Sequence, residues 1–306
     1  PIDRMLAEKV KGIDVIVGGH SHTKVIKPVL VNNTIIVQAW EHGKALGVLD
    51  LTLKDKKIFS FKGHLEEIKP QKGREDQAVK KLVEEYSQRI AAILNERVGE
   101  TEVDLDGEGR NVRRKETNFG NLIADIIRQG SSADMAIIIG GAVRASIRKG
   151  EVRVKEVYTA LPFNNYIIAI KLTGREIWGA LEHGVSAVEQ EEGRFPQVSG
   201  LTFKYSLSGS IGARVKEVFL AGKPIDLNKE YVVATIDFLA AGGDGYKVFG
   251  DAVKKSSDYS IIGGLMKGEK VVYSDSGRWV RDLVVEYMKK KKRIAPAVEG
   301  RIIEIR

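Results

Sequence analysis

The spacing of apolar residues changes along the first seventy positions of the chain. Apolar side chains first recur at intervals of three and four, which predicts a helix over residues 2–11. Runs rich in β-branched residues follow, and these predict strands over residues 13–17, 34–39, 47–53 and 58–68. A helix followed by several strands is typical of the last part of a layered α/β domain.

A long helical segment separates this region from the rest of the chain. Residues 70–73 read Pro-Gln-Lys-Gly, a combination that interrupts regular structure. Apolar residues then repeat at threes and fours and predict a helix over residues 75–97. With 306 residues the chain is long enough for two domains. We therefore assign a remnant of an α/β domain to 1–69, a linker and helix to 70–98, and a second domain to 99–306.

The second domain mixes helical and strand patterns without repeats, so we assign the whole chain to the α/β and α+β classes. Thr173 is followed three residues later by glutamate, which is the spacing of a capping box at a helix start. We expect residues 215–220 and 231–236 to pair with 201–205 in one sheet, and residues 249–251 to lie in a loop. The predicted helices cover 115–125 (with an initial turn), 173–185 and 279–288, with a short helix or turn at 154–161. The remaining predicted strands cover 135–139, 167–172 and 301–305.

Charge and composition exclude several kinds of protein. The formal net charge is +8 with both signs mixed along the chain, which suits anionic ligands but does not indicate nucleic-acid binding. The one dense basic run, residues 289–293, follows an apolar-periodic segment and fits the solvated end of a helix better than a nucleic-acid tail. Cysteine is absent, so thiolate metal sites and disulfides are excluded. No run of eighteen apolar residues occurs, so the sequence predicts no membrane span.

Two histidines follow the strand predicted at 13–17. The glycine pair before them allows a tight turn, and His20 and His22 then lie in a loop at the carboxyl end of a strand, where ligands of open sheets bind. Neutral imidazole is a common ligand of zinc and other first-row metals. Two histidines cannot fill a coordination sphere, and the chain has no Asp-x-His, Asn-His or His-Glu-x-x-His motif. The alternative interpretation is a polar loop without a metal.

Two arginines lie where an anion can be bound. Arg144 comes just after a predicted buried strand and a Gly-Gly pair, so backbone amides and a guanidinium group lie close together. Arginine matches phosphate with two parallel hydrogen bonds. Arg113 or its neighbour Arg114, which precede the turn into the helix at 115–125, is the second candidate. The alternative is that both are ordinary surface residues.

Two aromatic residues and one aspartate lie next to loops. Phe163 precedes a pair of asparagines, and Phe238 precedes a glycine-rich loop that contains Asp244. Aromatic rings at such positions can stack on a planar ligand, and an ionised carboxylate accepts hydrogen bonds from sugar hydroxyls. The alternatives are that both rings belong to the core and that Asp244 stabilises a turn. Together with the arginines, these residues describe a pocket of nucleoside size.

Several motifs in order along the chain resemble the bacterial and animal 5'-nucleotidase family. They are Gly-His-Ser-His at 19–22, Glu-Thr-Asn-Phe-Gly-Asn-Leu-Ile-Ala-Asp at 116–125, Gly-Gly-Ala-Val-Arg at 140–144, Leu-Pro-Phe-Asn-Asn at 161–165, and the segment from Phe238 through Asp244-Gly245-Tyr246. Members join a metallophosphatase domain to a C-terminal nucleotide-binding domain through a long helix. The resemblance implies metal-dependent hydrolysis of nucleoside monophosphates, and in some cases of nucleotide diphosphates or nucleotide sugars.

The resemblance also implies roles for particular residues. His20 and His22 each coordinate one ion of a two-metal centre of zinc, manganese or similar ions, which clamps the attacking and leaving oxygens. The implied substrate-binding residues are Arg113, Arg144, Phe163, Asn165, Phe238 and Asp244. In that arrangement the arginines bind phosphate, the two rings sandwich the base, the aspartate holds the ribose hydroxyls, and the asparagine touches the base edge or a nearby water.

The chain departs from the family pattern in several places. Ile139 replaces an asparagine of the animal members, and Ala142 replaces a third glycine. The family's Asp-x-His, Gly-Asp and Gly-Asn-His-Glu motifs are absent, and the catalytic histidine is absent with them, so no catalytic residue is assigned. The chain begins with Pro1, which indicates processing or a longer parent.

These departures define what we expect of the chain by itself. It binds nucleoside or nucleotide without useful hydrolysis, binds metal weakly or not at all, and takes the N-terminal half as a partner in trans. The resemblance implies a periplasmic or extracellular enzyme. The alternative is a stand-alone nucleotide-binding module with a vestigial metal-site fragment. Hydrolysis of another ester or sulfur substrate is less favoured, because such substrates need no aromatic clamp.

Overall fold

The structure is a computed structural model, and it describes residues 2–69, 73, 75–254, 258–262 and 265–305. The chain forms two compact units, the first ending at Tyr86 and the second beginning at Ser87. The division falls inside a long helix. Most of the interruption predicted at 70–73 lies outside the described residues.

The described residues of the first unit form one short helix, five strands and the start of the long helix. Its elements are α1 (Ile2–Lys9), β1 (Val15–Val17), β2 (Val29–Val31), β3 (Thr34–Val37), β4 (Ala45–Lys54), β5 (Lys57–Glu67) and α2 (Gln77–Leu94). The strands β1 and β3 pair in parallel, and β2 pairs antiparallel with the other edge of β3. Because β1 and β3 run the same way, the loops that follow them leave from the same edge of the sheet.

The strands β4 and β5 form a separate hairpin. They are joined by Asp55 and Lys56, whose φ angles of 48° and 62° are both left-handed. Two left-handed residues between antiparallel strands give the type I′ turn, whose twist matches that of the strands. The hairpin confirms both strand predictions in this region.

The long helix α2 begins later and ends earlier than predicted. Oδ1 of Asp76 accepts from the backbone N–H groups of Ala78 and Val79 at 2.9 and 3.0 Å, and so caps its first turn. The predicted helix over 75–97 was too long, because Arg97 already begins a strand. Helix ends are poorly defined by apolar spacing when no proline or C-terminal glycine follows.

The second unit has seven helices and fourteen strands among its described residues, besides the last part of α2. The helices are α3 (Gly109–Val112), α4 (Asn118–Gly130), α5 (Val154–Ala160), α6 (Gly174–Gly184), α7 (Asp237–Ala240), α8 (Lys247–Lys254) and α9 (Val280–Lys291). The strands are β6 (Arg97–Thr101), β7 (Met135–Ile139), β8 (Gly150–Arg153), β9 (Tyr166–Thr173), β10 (Pro196–Ser199), β11 (Leu201–Tyr205), β12 (Val215–Leu220), β13 (Lys223–Pro224), β14 (Glu230–Ile236), β15 (Ser260–Ile262), β16 (Leu265–Lys267), β17 (Val271–Trp279), β18 (Arg293–Ile294) and β19 (Ile302–Glu304).

A mixed five-stranded sheet forms the centre of this unit, in the order β10-β7-β14-β9-β17. The strands β7 and β14 are parallel, and the other neighbours are antiparallel. Every residue of β7 is buried, and Phe119, Ile123 and Ile127 of α4 are buried in the same core. The strands β13-β12-β11-β19 and β18-β6-β8 form two smaller sheets.

The capping box predicted at Thr173 is confirmed. Oγ1 of Thr173 accepts from the backbone N–H of Glu176 at 3.2 Å, and the Glu176 carboxylate accepts from the backbone N–H of Thr173 at 2.7 Å. Thr117 caps α4 in a similar way, because its Oγ1 accepts from the backbone N–H of Gly120 at 3.0 Å. The basic run at 289–293 coincides with the end of α9, as expected.

Two predictions about the second unit were wrong. The strand β14 does not join β11, because it lies between β7 and β9 in the central sheet. Its last four residues are all buried, so its pattern does not show which sheet it enters. Residues 249–251 are helical rather than a loop, because fully buried Phe249 stacks on Tyr246 with ring centroids 5.4 Å apart and holds α8 in place.

The described helices include none that combines the length and the apolar character of a membrane span.

Candidate functional site

Arg144 follows the buried strand β7 through a tight turn. A 3-10 turn begins at Gly140 and packs closely on the end of α3. A Cβ atom on Gly140 would lie 1.9 Å from the carbonyl oxygen of Val112. The backbone N–H of Arg144 donates to the carbonyl of Ala160 at 2.8 Å. These contacts place Arg144 beside the segment that carries Arg113.

Arg113 lies at the end of α3 and is half-buried. Its Nη1 donates to the carbonyl of Glu191 at 3.4 Å, and its Nε is buried and has no partner in the described part of the chain. Burial lowers the pKa of Arg113 and the charge of Arg144 lowers it further, whereas Asp244 and Glu191 oppose this shift. Arginine stays charged under these conditions, so Arg113 keeps a positive charge that attracts an anion.

A cleft of about 360 Å³ opens between these side chains. Its lining consists of Glu108, Gly109, Arg110, Arg113, Val143, Arg144 and Glu191. Arg110 was not predicted to belong to the site. The available signal was its spacing, since residues three apart lie on one face of a helix and Arg113 follows at that interval.

Asp244 lies in the turn between α7 and α8. Its φ of 48° is left-handed, a conformation that aspartate tolerates better than most residues. Its Oδ2 lies close to the backbone of Gly193, because a Cβ atom built on Gly193 would be 3.3 Å from that oxygen. The carbonyl oxygen of Gly193 accepts from the backbone N–H of Gly141 at 2.8 Å. The loops of Arg144 and Asp244, which are a hundred residues apart in sequence, therefore meet at one place.

The two aromatic side chains border the same place and are not part of the core. Phe163 is 46% exposed and Phe238 is 43% exposed, so the interpretation of either ring as a core residue is wrong. The ring of Phe238 packs on Gly243, where a Cβ atom would lie 2.5 Å from a ring carbon. The ring centroid of Phe163 is 5.9 Å from the guanidinium carbon of Arg144. Neither ring packs against another aromatic ring among the described residues.

Asn165 begins the passage from the Phe163 loop into β9. It is half-buried, and its carbonyl oxygen accepts from the backbone N–H of Val280 at 2.8 Å. It lines, with Phe163, a narrow apolar recess over the core. Asn165 therefore lies next to the exposed ring but on a firmly anchored backbone.

Arg281 holds the loop that carries Phe163, and it was not predicted. Its guanidinium group donates to the carbonyl of Pro162 at 3.1 Å and to Oδ1 of Asn164 at 2.6 Å. The guanidinium carbon lies 4.4 Å from the ring centroid of Tyr158 and 4.5 Å from that of Trp279. Such stacked guanidinium groups are strongly oriented, so Arg281 holds the backbone before Phe163 and the side chain of the residue after it.

The first unit offers one group of metal-ligating side chains among its described residues. Nδ1 of His22 lies 3.0 Å from Oε2 of Glu41, and Nε2 of His42 lies 3.9 Å from the same oxygen. The ligand atoms of all three residues lie within 4.8 Å of one another, and His20 does not belong to this group. A hydrogen bond from Lys44 to Glu41 is the main reason that the pKa of this carboxyl is lowered, so Glu41 is ionised.

The geometry of the sheet explains this group. His22 follows β1 and Glu41 follows β3, and parallel neighbours bring their carboxyl ends together. Glu41 and His42 were not predicted, although their position shortly after a strand was a visible signal. The donor set of imidazole and carboxylate fits zinc or a similar divalent ion.

The fold is that of an α+β domain in which two arginines, an aspartate and two exposed aromatic rings lie on neighbouring loops. A family model described as 5'-nucleotidase, C-terminal domain, matches residues 97–251. The chain belongs to the 5'-nucleotidase family. The resemblance and the mixed α/β and α+β fold class are thereby confirmed.

Three relatives show the extent of the similarity. The trifunctional nucleotide phosphoesterase protein YfkN of Bacillus subtilis is 38% identical over 99% of this chain and 20% of that protein. The snake venom 5'-nucleotidase of Macrovipera lebetinus is 30% identical over 98% of this chain and 79% of that protein. The crystal structure of the 5'-nucleotidase precursor from Thermus thermophilus has a TM-score of 0.73 and 35% identity over 99% of this chain and 62% of that chain. The chain thus spans only part of these longer proteins.

Proposed function

We propose that this chain supplies nucleotide binding to a metal-dependent 5'-nucleotidase that hydrolyses nucleoside monophosphates, and also nucleotide diphosphates or nucleotide sugars. The observation that carries this proposal is the meeting of the Arg144 loop with the loop that carries Asp244, with exposed Phe163 beside Arg144 and exposed Phe238 beside the turn of Asp244. That combination supplies an anion subsite, a hydroxyl acceptor and stacking surfaces within one unit.

Each side chain takes one part of the nucleotide. Arg144 and Arg113, which line one cleft, bind the phosphate through their guanidinium groups. Phe163 and Phe238 stack on the base, and Asn165 meets the base edge or a nearby water. The carboxylate of Asp244 accepts hydrogen bonds from the ribose hydroxyls.

His20 and His22 would hold the two divalent metal ions of the intact enzyme. When bound, these ions activate water and polarise the phosphate oxygens. In this chain the Glu41 carboxylate lies 3.0 Å from Nδ1 of His22, a position from which it orients the ring and leaves Nε2 of His22 for the metal. With the ligands present in this sequence, we expect weak metal binding and no useful turnover by the chain alone.

The pocket is tested by titrating the chain with AMP in a calorimeter. Loss of one stacking ring removes about 1 to 3 kcal/mol of binding free energy, so Phe163→Ala should lower the affinity for AMP at least fivefold. Phe59→Ala, which removes a ring that is 71% exposed in the first unit, is the matched control and should change nothing. AMP binding that is equal in wild type and Phe163→Ala refutes the base subsite.

The enzymatic part is tested by phosphate release from AMP with added Mn²⁺ or Zn²⁺. We expect no turnover by the chain alone and turnover when a metallophosphatase half from a family member is supplied in trans. Fast turnover by the chain alone refutes the expected inactivity, and tight AMP binding without complementation favours a stand-alone binding module.

The intact enzyme is expected to act in the periplasm or outside the cell. The Thermus thermophilus protein is named as a precursor, which supports this location for a relative. Fractionation of cells that express the intact protein, with AMP hydrolysis assayed in each fraction, tests the expectation.

A further inference from the structure

The turn that carries Asp244 needs support from outside itself. Gly242 and Gly245 have φ angles of 93° and 81°, and Asp244 between them has a φ of 48°. A left-handed residue other than glycine is strained by about 1 kcal/mol or more. A turn built from three glycines and one aspartate also has few side chains with which to hold a single conformation.

His183 provides that support from the last turn of α6. Its Nε2 lies 2.8 Å from the backbone carbonyl oxygen of Asp244. A carbonyl oxygen only accepts, so Nε2 carries the hydrogen and donates it. A Cβ atom at Gly245 would lie 2.9 Å from Cε1 of His183, so glycine at this position permits the close approach.

The imidazole ring is itself held in place by Tyr246. The two rings meet edge to face, with centroids 4.9 Å apart and an interplanar angle of 82°. Tyr246 is buried, and its hydroxyl donates to the carbonyl of Arg194 at 2.7 Å. Arg194 adjoins Gly193, the residue that the Asp244 carboxylate faces. His183 and Tyr246 therefore connect the backbone of the Asp244 turn with the segment at Gly193 that its carboxylate faces.

We propose that His183 is a positioning residue that presents the Asp244 carboxylate to the ribose hydroxyls. This inference rests on the proposed function, because it takes Asp244 as the ribose acceptor. His183 bonds the backbone of Asp244 and leaves both carboxylate oxygens to the ligand. Without this hydrogen bond the turn samples other conformations, and binding then has to restore the productive one.

The test compares two ligands that differ only in the hydroxyl groups. Adenosine carries the 2' and 3' hydroxyls, and 2',3'-dideoxyadenosine lacks them. In calorimetric titrations, His183→Ala should weaken the binding of adenosine by about tenfold, which corresponds to about 1.4 kcal/mol. It should leave the affinity for 2',3'-dideoxyadenosine unchanged. His183→Gln, whose amide nitrogen can donate at a similar distance from the backbone, should restore most of the adenosine affinity.

Asp244→Ala separates the inference from the proposed function. This variant should lose the preference for adenosine, and adding His183→Ala to it should have little further effect because both act on one interaction. If Asp244→Ala loses the preference and His183→Ala keeps it, the positioning role is overturned and the proposed function stands. Equal weakening of both ligands by His183→Ala, with His183→Gln not restoring adenosine, also overturns it. If the wild-type chain binds neither ligand, the proposed function fails and the inference fails with it.

Discussion

Replacing Gln197 with methionine should destabilise the second unit through three hydrogen bonds that one buried side chain makes. Gln197 has no exposed surface. Its Oε1 accepts from the backbone N–H of Thr117 at 3.1 Å, and its Nε2 donates to the carbonyls of Val112 and Lys115 at 3.1 and 2.7 Å. Methionine keeps the length of the side chain and removes all three bonds.

The magnitude follows from the groups left without a partner. An unsatisfied buried polar group costs about 1 to 3 kcal/mol, and water entering the gap relieves part of this cost. Three such groups give an expected loss of about 3 to 6 kcal/mol in the free energy of unfolding, a large share of the total for an ordinary domain. The same segment carries Arg113, so AMP binding should weaken as well.

Urea denaturation, followed by circular dichroism, measures this loss of stability. The urea concentration at the midpoint of unfolding should fall, and the dependence of the unfolding free energy on urea concentration should stay unchanged. Gln129→Met makes the same substitution at an exposed position of α4 and should change stability by less than about 0.5 kcal/mol. A loss below about 1 kcal/mol for Gln197→Met would show that these hydrogen bonds do not hold the Arg113 segment, and would refute the reasoning.

Three further predictions concern the loop of Phe163, acid stability and metal binding. Arg281→Ala should weaken AMP binding about tenfold, as measured by calorimetry. Arg281→Lys should not restore the affinity, because lysine lacks the planar guanidinium fork. Full restoration of AMP binding by lysine would contradict this. The hydrogen bond from Arg214 is the main reason that the pKa of Glu189 is lowered from 4.5 in the folded state. The contribution of Glu189 to stability is therefore present above about pH 4.5 and is lost as the pH falls through the pKa of Glu189 in the folded state. Glu189→Gln should therefore make the free energy of unfolding fall less steeply at acid pH. An unchanged dependence on pH would contradict this. Glu41→Gln should lower Zn²⁺ affinity about tenfold or more in a competition titration if Glu41 orients His22, and unchanged affinity would contradict that role.

Elements with strong local signals could be predicted from the sequence. The run of apolar residues in β7 and the capping residues of α4 and α6 specify those elements within a few positions. The strand β17 was missed, because Asp275 and Gly277 interrupt its pattern, and its pairing with β9 is irregular there. Residues of α8 were taken for a loop, because the burial of Phe249 that stabilises the helix is a tertiary contact.

The candidate site was predictable only as a set of side chains at the ends of elements. The sequence indicated Arg144, Phe163, Phe238 and Asp244 as residues next to loops with the chemistry for a nucleotide, and left open whether the two rings belong to the core. It contained no sign of Arg281, whose role depends on stacking between two aromatic rings and on donating to a loop more than a hundred residues away.

The amino-acid sequence by itself determined the elements with strong local signals, such as β7, α4 and α6, and which residue types follow each strand, because these depend on neighbours within a few positions. The tertiary structure alone decided which loops meet. The strand β14 lies between β7 and β9, and that order brings the turn after β7 beside the turn after α7. Strand order depends on burial of both faces of a sheet by distant segments, and short-range periodicity contains no information about it.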